Sequence, residues 1–175
     1  MEVLKSLSTD VEKLREHIQS IEKRLQEINQ KIEEKEKELL KVRDELTKKE
    51  TEVLEVARTL RELEHELTET KQKIRYHRKY IAQADSPRER ERLIEQREKL
   101  IEKAFEISDK IEELRKKYDE LVFEEDKLLE KEEKLEKEIK KLRKEYEYYL
   151  KELDSLTKYL EKKIRETREK YNLNA

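Results

Sequence analysis

The sequence predicts an all-α fold, a long antiparallel two-helix coiled-coil hairpin, with dimerisation into a four-helix assembly as an open extension. Charged residues make up 51% of the 175 residues, and apolar residues recur at alternating spacings of three and four along both halves. This combination is typical of a coiled coil. The chain has no glycine, and its one proline, Pro87, stands at the midpoint. Because glycine and proline are the strongest breakers of regular structure, the chain has one natural place to turn.

The first helix is expected over about residues 3–83. With Leu4 at heptad position a, all twelve a positions up to Ile81 are apolar. The polar d positions of this half are Lys35, Lys49, Thr70 and His77. A strict seven-residue repeat keeps one apolar stripe facing a partner helix.

The turn is expected at residues 82–86. Ser86, Pro87 and Glu89 have the form of a helix N-cap, a proline at the first helical position and a capping-box glutamate. The alternative is one continuous helix kinked at Pro87, which would have to dimerise to cover its apolar stripe. The cap and the equal lengths of the two halves favour a hairpin, so residues 1–175 are taken as one coiled-coil hairpin.

The second helix is expected over about residues 87–171. Its d positions are apolar or aromatic from Leu93 to Leu156, whereas its a positions include Arg97, Glu125 and Glu132. In an antiparallel hairpin an a residue of one helix shares a layer with a d residue of the other, so the two numbers in each layer add to a constant. A turn at 82–86 allows a constant of 167 or 174.

Charges beside the seam favour the constant 167, because opposite charges across a seam help to set the register. That register pairs Arg24–Glu145, Lys31–Glu138, Glu38–Lys131, Glu52–Lys117, Glu66–Lys103, Glu22–Arg143 and Glu50–Arg115. It also places Lys35 and Glu132 in one core layer. This layer is either a lock on the register, or a lysine that extends out of the seam beside a solvated glutamate.

One flank of the seam, formed by heptad positions e and b of both helices, carries more apolar residues than a two-stranded coiled coil needs. We call it the apolar flank. Its apolar members are Leu40, Leu54, Ala57, Ile94, Ile101, Phe105, Val122, Leu129, Leu150 and Ile164. Such a flank predicts a homo-oligomer or a partner helix that packs alongside. The alternative is that it only widens the two-helix seam.

The hairpin tip, residues 71–92, is basic. Its eight bases are Lys71, Lys73, Arg75, Arg78, Lys79, Arg88, Arg90 and Arg92, against three carboxylates, a net charge of +5 in a chain of net charge −2. Tyr76, His77 and Tyr80 interleave with them. Bases bind phosphate and tyrosine stacks on unpaired bases, so RNA or a ribosome is a candidate partner. The alternative is a solvated basic end.

No other chemistry is indicated. Without cysteine there are no disulfides or thiolate metal sites, and His17, His65 and His77 lack a second ligand at metal spacing. We therefore expect no enzyme, no cofactor, no metal and no small-molecule substrate. No apolar run approaches the length of a membrane span, and residues 1–10 lack a signal-peptide core, so a cytoplasmic location is expected. The lysine and glutamate excess resembles thermophile usage.

Residues 74–81 (IRYHRKYI) and 86–94 (SPRERERLI) resemble the central segment of one family. This is a family of uncharacterised archaeal coiled-coil proteins, distantly similar to the yeast nuclear segregation protein, which associates with messenger ribonucleoprotein and polysomes. The resemblance covers about 40 residues and implies an RNA or ribosome partner. The helices also resemble the arms of chromosome-maintenance ATPases, but the glycine-rich phosphate loop is missing. The leading expectation is a structural or scaffolding rod, and the alternative is an RNA- or ribosome-binding tip.

Overall fold

The computed structural model describes residues 2–171, as two helices that pack against each other, α1 (Glu2–Ala82) and α2 (Pro87–Tyr171). Residues 83–86 join them, and no strand occurs in this part of the chain. The predicted all-α hairpin is therefore confirmed, and the alternative of one continuous kinked helix is wrong. The helix ends differ from the expected ranges 3–83 and 87–171 by one residue at most.

The hairpin divides into two compact units, each built from a stretch of both helices. Of the described residues, we call 2–42 with 131–171 the end unit, and 43–130 the turn unit. In each unit the apolar heptad positions form the core, because they are the ones that the partner helix covers.

In the end unit the core is a row of isoleucines and leucines at positions a and d. Ile28 is completely buried, and Ile139 is 4% exposed. Ile32 and Leu135 are also buried. Full burial of one such side chain contributes about 1.5–3 kcal/mol.

The turn unit has the same construction. Leu46, Val56, Ile111 and Leu121 are buried. Nearer the turn, Thr70 is 3% exposed. The Thr70 hydroxyl donates to the Glu66 carbonyl of its own helix at 2.8 Å.

Arg97 and His77 stand opposite each other in a polar layer near the turn, because the ion pairs described below give the seam a constant of 174. The Arg97 Nε is buried and has no hydrogen-bond partner among residues 2–171. A buried donor without a partner costs about 1–3 kcal/mol. The polar layer therefore weakens the seam close to the turn.

Three of the predicted ion pairs between g positions are formed. In the end unit, Arg24 Nη2 lies 2.9 Å from Glu145 Oε1, and Lys131 Nζ lies 3.8 Å from Glu38 Oε1. In the turn unit, Lys103 Nζ lies 3.5 Å from Glu66 Oε1. The residue numbers in each pair add to 169, so these long side chains can meet at a constant of either 167 or 174.

The pairs between e positions show that the predicted constant of 167 is wrong and that the seam has the constant 174. Arg143 binds Glu36 at 2.6 Å instead of Glu22, and Arg115 binds Glu64 at 3.0 Å instead of Glu50. At the constant 167 the two backbones of each pair would lie about 18 Å apart along the axis, which an arginine and a glutamate cannot span, whereas at 174 the offset is about 7.5 Å. Side chains on a helix tilt towards its N-terminus, so on antiparallel helices Arg143 and Glu36 tilt towards each other across this offset.

The polar d residues reach out of the seam to g positions of the other helix. In each of these contacts the two residue numbers add to 173. The four contacts are Lys35–Glu138 at 2.6 Å, Lys49–Glu124 at 2.6 Å, His77–Gln96 at 3.3 Å and Lys163–Asp10 at 3.4 Å. The Lys35 ammonium thus extends to the flank, while Glu132 is half-buried.

These lysines also displace two of the predicted g–g pairs. Glu138, expected opposite Lys31, binds Lys35. Glu52, expected opposite Lys117, lies 3.8 Å from Lys49 of its own helix.

Candidate functional site

The turn is closed by backbone bonds at one end and by a cap at the other. The Gln83 amide donates to the carbonyls of Lys79 and Tyr80, at 3.1 and 3.2 Å, and tightens the last turn of α1. At the start of α2, Ser86 Oγ accepts from the Glu89 amide at 3.2 Å. Ser86 is therefore the predicted N-cap.

All eight bases of the tip are exposed, as are Tyr76 and Tyr80. No ion pair within the described chain involves any of these bases, which are Lys71, Lys73, Arg75, Arg78, Lys79, Arg88, Arg90 and Arg92. Their charges are therefore open to solvent. His77, by contrast, is half-buried, and its Nδ1 donates to the Lys73 carbonyl at 2.9 Å.

The helix separates the aromatic residues from many of the bases with which they interleave in sequence. Tyr76 and Tyr80 occupy positions c and g, one turn apart on the same face, and the Tyr80 ring meets His77 edge-on at 6.1 Å. The bases at residues 71, 75 and 78 occupy positions e and b, on the opposite flank. The tip is thus a basic end with two tyrosines on one side, and its sequence pattern does not form one mixed patch.

The apolar flank is uncovered within the turn unit. Leu54 is 69% exposed and Phe105 is 68% exposed. Ile94 and Leu129 are 39% and 43% exposed, and the remaining members, Ala57, Ile101 and Val122, are half-buried. The half-buried members border the seam, so they widen it in part, but the most exposed members stand clear of it.

A shallow polar groove interrupts this flank at its middle. It has a volume of about 460 Å³ and is lined by the side chains of both helices, including Glu64, Thr68, Ser108, Glu112 and Arg115. The Arg115–Glu64 ion pair lies along it. Apolar residues therefore lie on both sides of a polar centre.

In the end unit the flank is sparser. Leu40 is 60% exposed and Leu150 is 47% exposed, while Ile164 is half-buried. Leu150 and Ile164 lie level with residues 24 and 10 of α1, so these three residues are well separated along the hairpin and do not form a dense patch with one another.

The opposite flank, formed by g positions, carries ion pairs that join the two helices. The hydrogen bond to Glu124 raises the pKa of Lys49 above its usual value. In the end unit, the bond from Lys35 lowers the pKa of Glu138, and the bond to Glu145 raises the pKa of Arg24. Each shift favours the charged form of the residue that carries it.

Other kinds of site were searched for over residues 2–171. Within that range, no three His, Asp or Glu side chains come together as metal ligands would. No helix there has an apolar stretch of the length that spanning a bilayer requires.

No protein-family model, no curated protein and no solved structure matches this chain. The resemblance to the archaeal coiled-coil family therefore stays a prediction, and function has to be argued from the surfaces alone.

Two features were missed from the sequence. Arg97 was visible as a polar residue at a core position, but the burial of its Nε depends on how the guanidinium packs. Phe123, 60% exposed at outer position f, lies outside the apolar flank, and Lys127 Nζ sits 4.4 Å from its ring centre. A phenylalanine four residues before a lysine is the signal for that contact.

Proposed function

We propose that this chain is a non-enzymatic coiled-coil protein with a structural or scaffolding role, which binds partner helices along the apolar flank of its turn unit. The observation that carries the proposal is the exposure of Leu54, Phe105, Ile94 and Leu129 on one flank. Exposed apolar side chains that line up on one face mark interaction sites in soluble proteins. The opposite flank, by contrast, carries ion pairs between the two helices, such as Lys49–Glu124 and Lys103–Glu66.

Photo-crosslinking in the expressing cell tests this role with a matched control. A photoreactive phenylalanine analogue replaces Phe105 on the flank in one variant and Phe123 on the outer face in another. The two side chains are similarly exposed, at 68% and 60%. The proposal expects a discrete protein adduct from position 105 and little from position 123. Equal yields from the two positions would contradict it.

The second candidate function is RNA or ribosome binding at the tip. It is supported by the eight exposed bases, which lack ion pairs within the described residues, and by the net charge of +5 of residues 71–92 in a chain of −2. Phosphate contacts supply most of the affinity in such binding. The separation of Tyr76 and Tyr80 from the bases at positions e and b is less favourable, since stacking and phosphate contacts would then come from different sides.

Co-sedimentation with ribosomes and RNA binding over a salt series tests the tip. Binding should weaken steeply with salt, because neutralised phosphates release counterions. Changing Arg75, Arg78, Arg88 and Arg92 to Glu should abolish binding while helicity survives. Changing Lys140, Lys141, Lys144 and Lys151 to Glu makes the same charge change elsewhere and should leave most binding intact. No association of the wild type at low salt, or equal loss in both variants, would exclude a tip site.

A further inference from the structure

We propose that the apolar flank of the turn unit binds a second copy of this chain, antiparallel to the first, about a two-fold axis that passes α2 between Ile111 and Glu112. The inference rests on the proposed interaction role and names its partner. In a two-fold interface one patch meets itself, so a contact from residue i to residue j recurs from j to i. The flank must then complement its own reversed copy.

The e positions of α2 have this symmetry. From residue 94 to residue 129 they read Ile, Ile, Ser, Arg, Val, Leu. Reversal about the axis pairs Ile94 with Leu129, Ile101 with Val122, and Ser108 with Arg115. Apolar side chains therefore meet apolar side chains on both sides of a polar centre, which coincides with the groove along Arg115 and Glu64.

The charges of the first helix support the same axis. The hairpin register, with its constant of 174, requires that an axis at 111–112 on α2 pass between residues 62 and 63 on α1. Reversal about that point pairs Glu50 with Arg75, and Arg61 with Glu64, and it sets Leu54 beside the aliphatic stem of Lys71. Exposed opposite charges thus meet on α1, although these residues played no part in placing the axis.

The competing arrangement places two copies side by side with their turns at the same end. It would set the apolar e residues of α2 against charged e residues of α1, with Ile94 on Arg78, Ile101 on Lys71, and Val122 on Glu50. One contact favours this side-by-side arrangement. In it, Arg61 of one copy would meet Glu112 of the other, whereas the antiparallel dimer brings the two like-charged Glu112 side chains near each other. An apolar side chain gains several times more from burial than an exposed ion pair contributes, so the antiparallel arrangement is favoured.

Sedimentation velocity of the full chain tests self-association. The wild type should sediment as a dimer at micromolar concentration. Changing Ile101 and Val122 together to Glu should raise the Kd by about 100-fold or more, since the two-fold axis repeats every lost contact. Circular dichroism should show that helicity persists. Phe123→Glu, an equally large change on the outer face, should leave the dimer intact.

A charge exchange tests the contact on α1. Glu50→Arg should weaken the dimer, and adding Arg75→Glu should restore it, because the double variant reverses the same ion pair. A double variant that is no better than Glu50→Arg would contradict the assigned axis.

Spin labels distinguish the two orientations, and the absence of cysteine lets a single introduced Cys carry each label. A label at Glu95 should lie about 50 Å from its copy in the antiparallel dimer, from 33 residues at about 1.5 Å each. A label at Lys116 should lie much closer to its copy. Short distances at both positions would establish the parallel arrangement and overturn the proposal.

Failure of this inference is separable from failure of the proposed function. A wild type that is monomeric at high micromolar concentration overturns self-association. If crosslinks from position 105 in the cell then join a different protein, the interaction role stands without the dimer. If position 105 gives no adduct, both fail.

Discussion

The two flanks of the turn unit are formed by the same pair of helices, but one flank is charged and the other is apolar. At the g positions, Lys49–Glu124 and Lys103–Glu66 join the helices by charge across the seam. At the e and b positions, Leu54 and Phe105 are more than two-thirds exposed. One seam therefore has one flank suited to water and one suited to protein.

This difference shows that the heptad repeat alone does not set what a coiled coil does. Positions a and d determine that two helices pair. The residues beside them determine whether the two-helix structure binds a further helix. The g flank satisfies its charges within the chain. The apolar flank exposes more than two helices can cover, and the four predictions that follow separate its contribution from that of the core.

The largest expected effect separates core from flank with the same substitution. Ile107→Ala removes a side chain that is 4% exposed and should destabilise the protein by about 2–5 kcal/mol. Ile94→Ala acts on a side chain that is 39% exposed and should cost clearly less in dilute solution. Denaturant unfolding at low protein concentration measures both. Equal losses would mean that Ile94 belongs to the core of the single hairpin.

The next effect is a gain of stability at the polar layer. Arg97→Leu removes the buried Nε that lacks a partner among residues 2–171 and should stabilise the protein by about 1–3 kcal/mol. Arg92→Leu, at an exposed position of the same helix, should change it by less than about 0.5 kcal/mol. A loss of stability in Arg97→Leu would show that the guanidinium contributes more than its buried donor costs.

A smaller effect is expected at the start of α2. Ser86→Ala removes the side-chain acceptor for the Glu89 amide and should cost about 1 kcal/mol. Ser155→Ala, at an exposed position within the helix, loses no cap and should be nearly neutral. Thermal unfolding of the two variants compares them, and equal melting temperatures would exclude the capping role.

The smallest effect is acid sensitivity of the charged flank. Lys35 lowers the pKa of Glu138 below its ordinary 4.5, so the pair stabilises the fold above that pH. This stability is lost as the pH falls through the lower folded-state pKa. Glu138→Gln should therefore show a shallower decline of melting temperature between pH 6 and pH 3 than the wild type. Glu147→Gln, at an exposed position, should follow the wild type; a parallel decline in all three would contradict the assignment.

Much of the fold was predictable from the sequence because it depends on regular spacing. The apolar a and d positions, such as Ile28 and Ile139, lie in the core, and the cap at Ser86 begins α2. The register was predicted wrongly, because g pairs such as Glu66–Lys103 can form at either constant and only e pairs such as Glu64–Arg115 exclude 167.

What could not be predicted depends on side-chain direction and reach. Arg115 selects Glu64 because both side chains tilt towards each other, and Lys49 leaves its core position to reach Glu124. The tip was misjudged for a related reason. Residues that alternate along the sequence, such as Tyr76 and Arg78, are placed on opposite flanks by the helical repeat.

The most direct test of an occupied flank is hydroxyl-radical footprinting of the purified wild type at a concentration where it is dimeric. Phe105 and Phe123 have the same chemistry and similar exposure in the single chain, 68% and 60%, so each serves as the other's reference. Coverage of the apolar flank predicts slow oxidation of Phe105 relative to Phe123, and recovery of Phe105 when Ile101 and Val122 are changed to Glu. Equal oxidation of the two rings in the wild type would contradict the account.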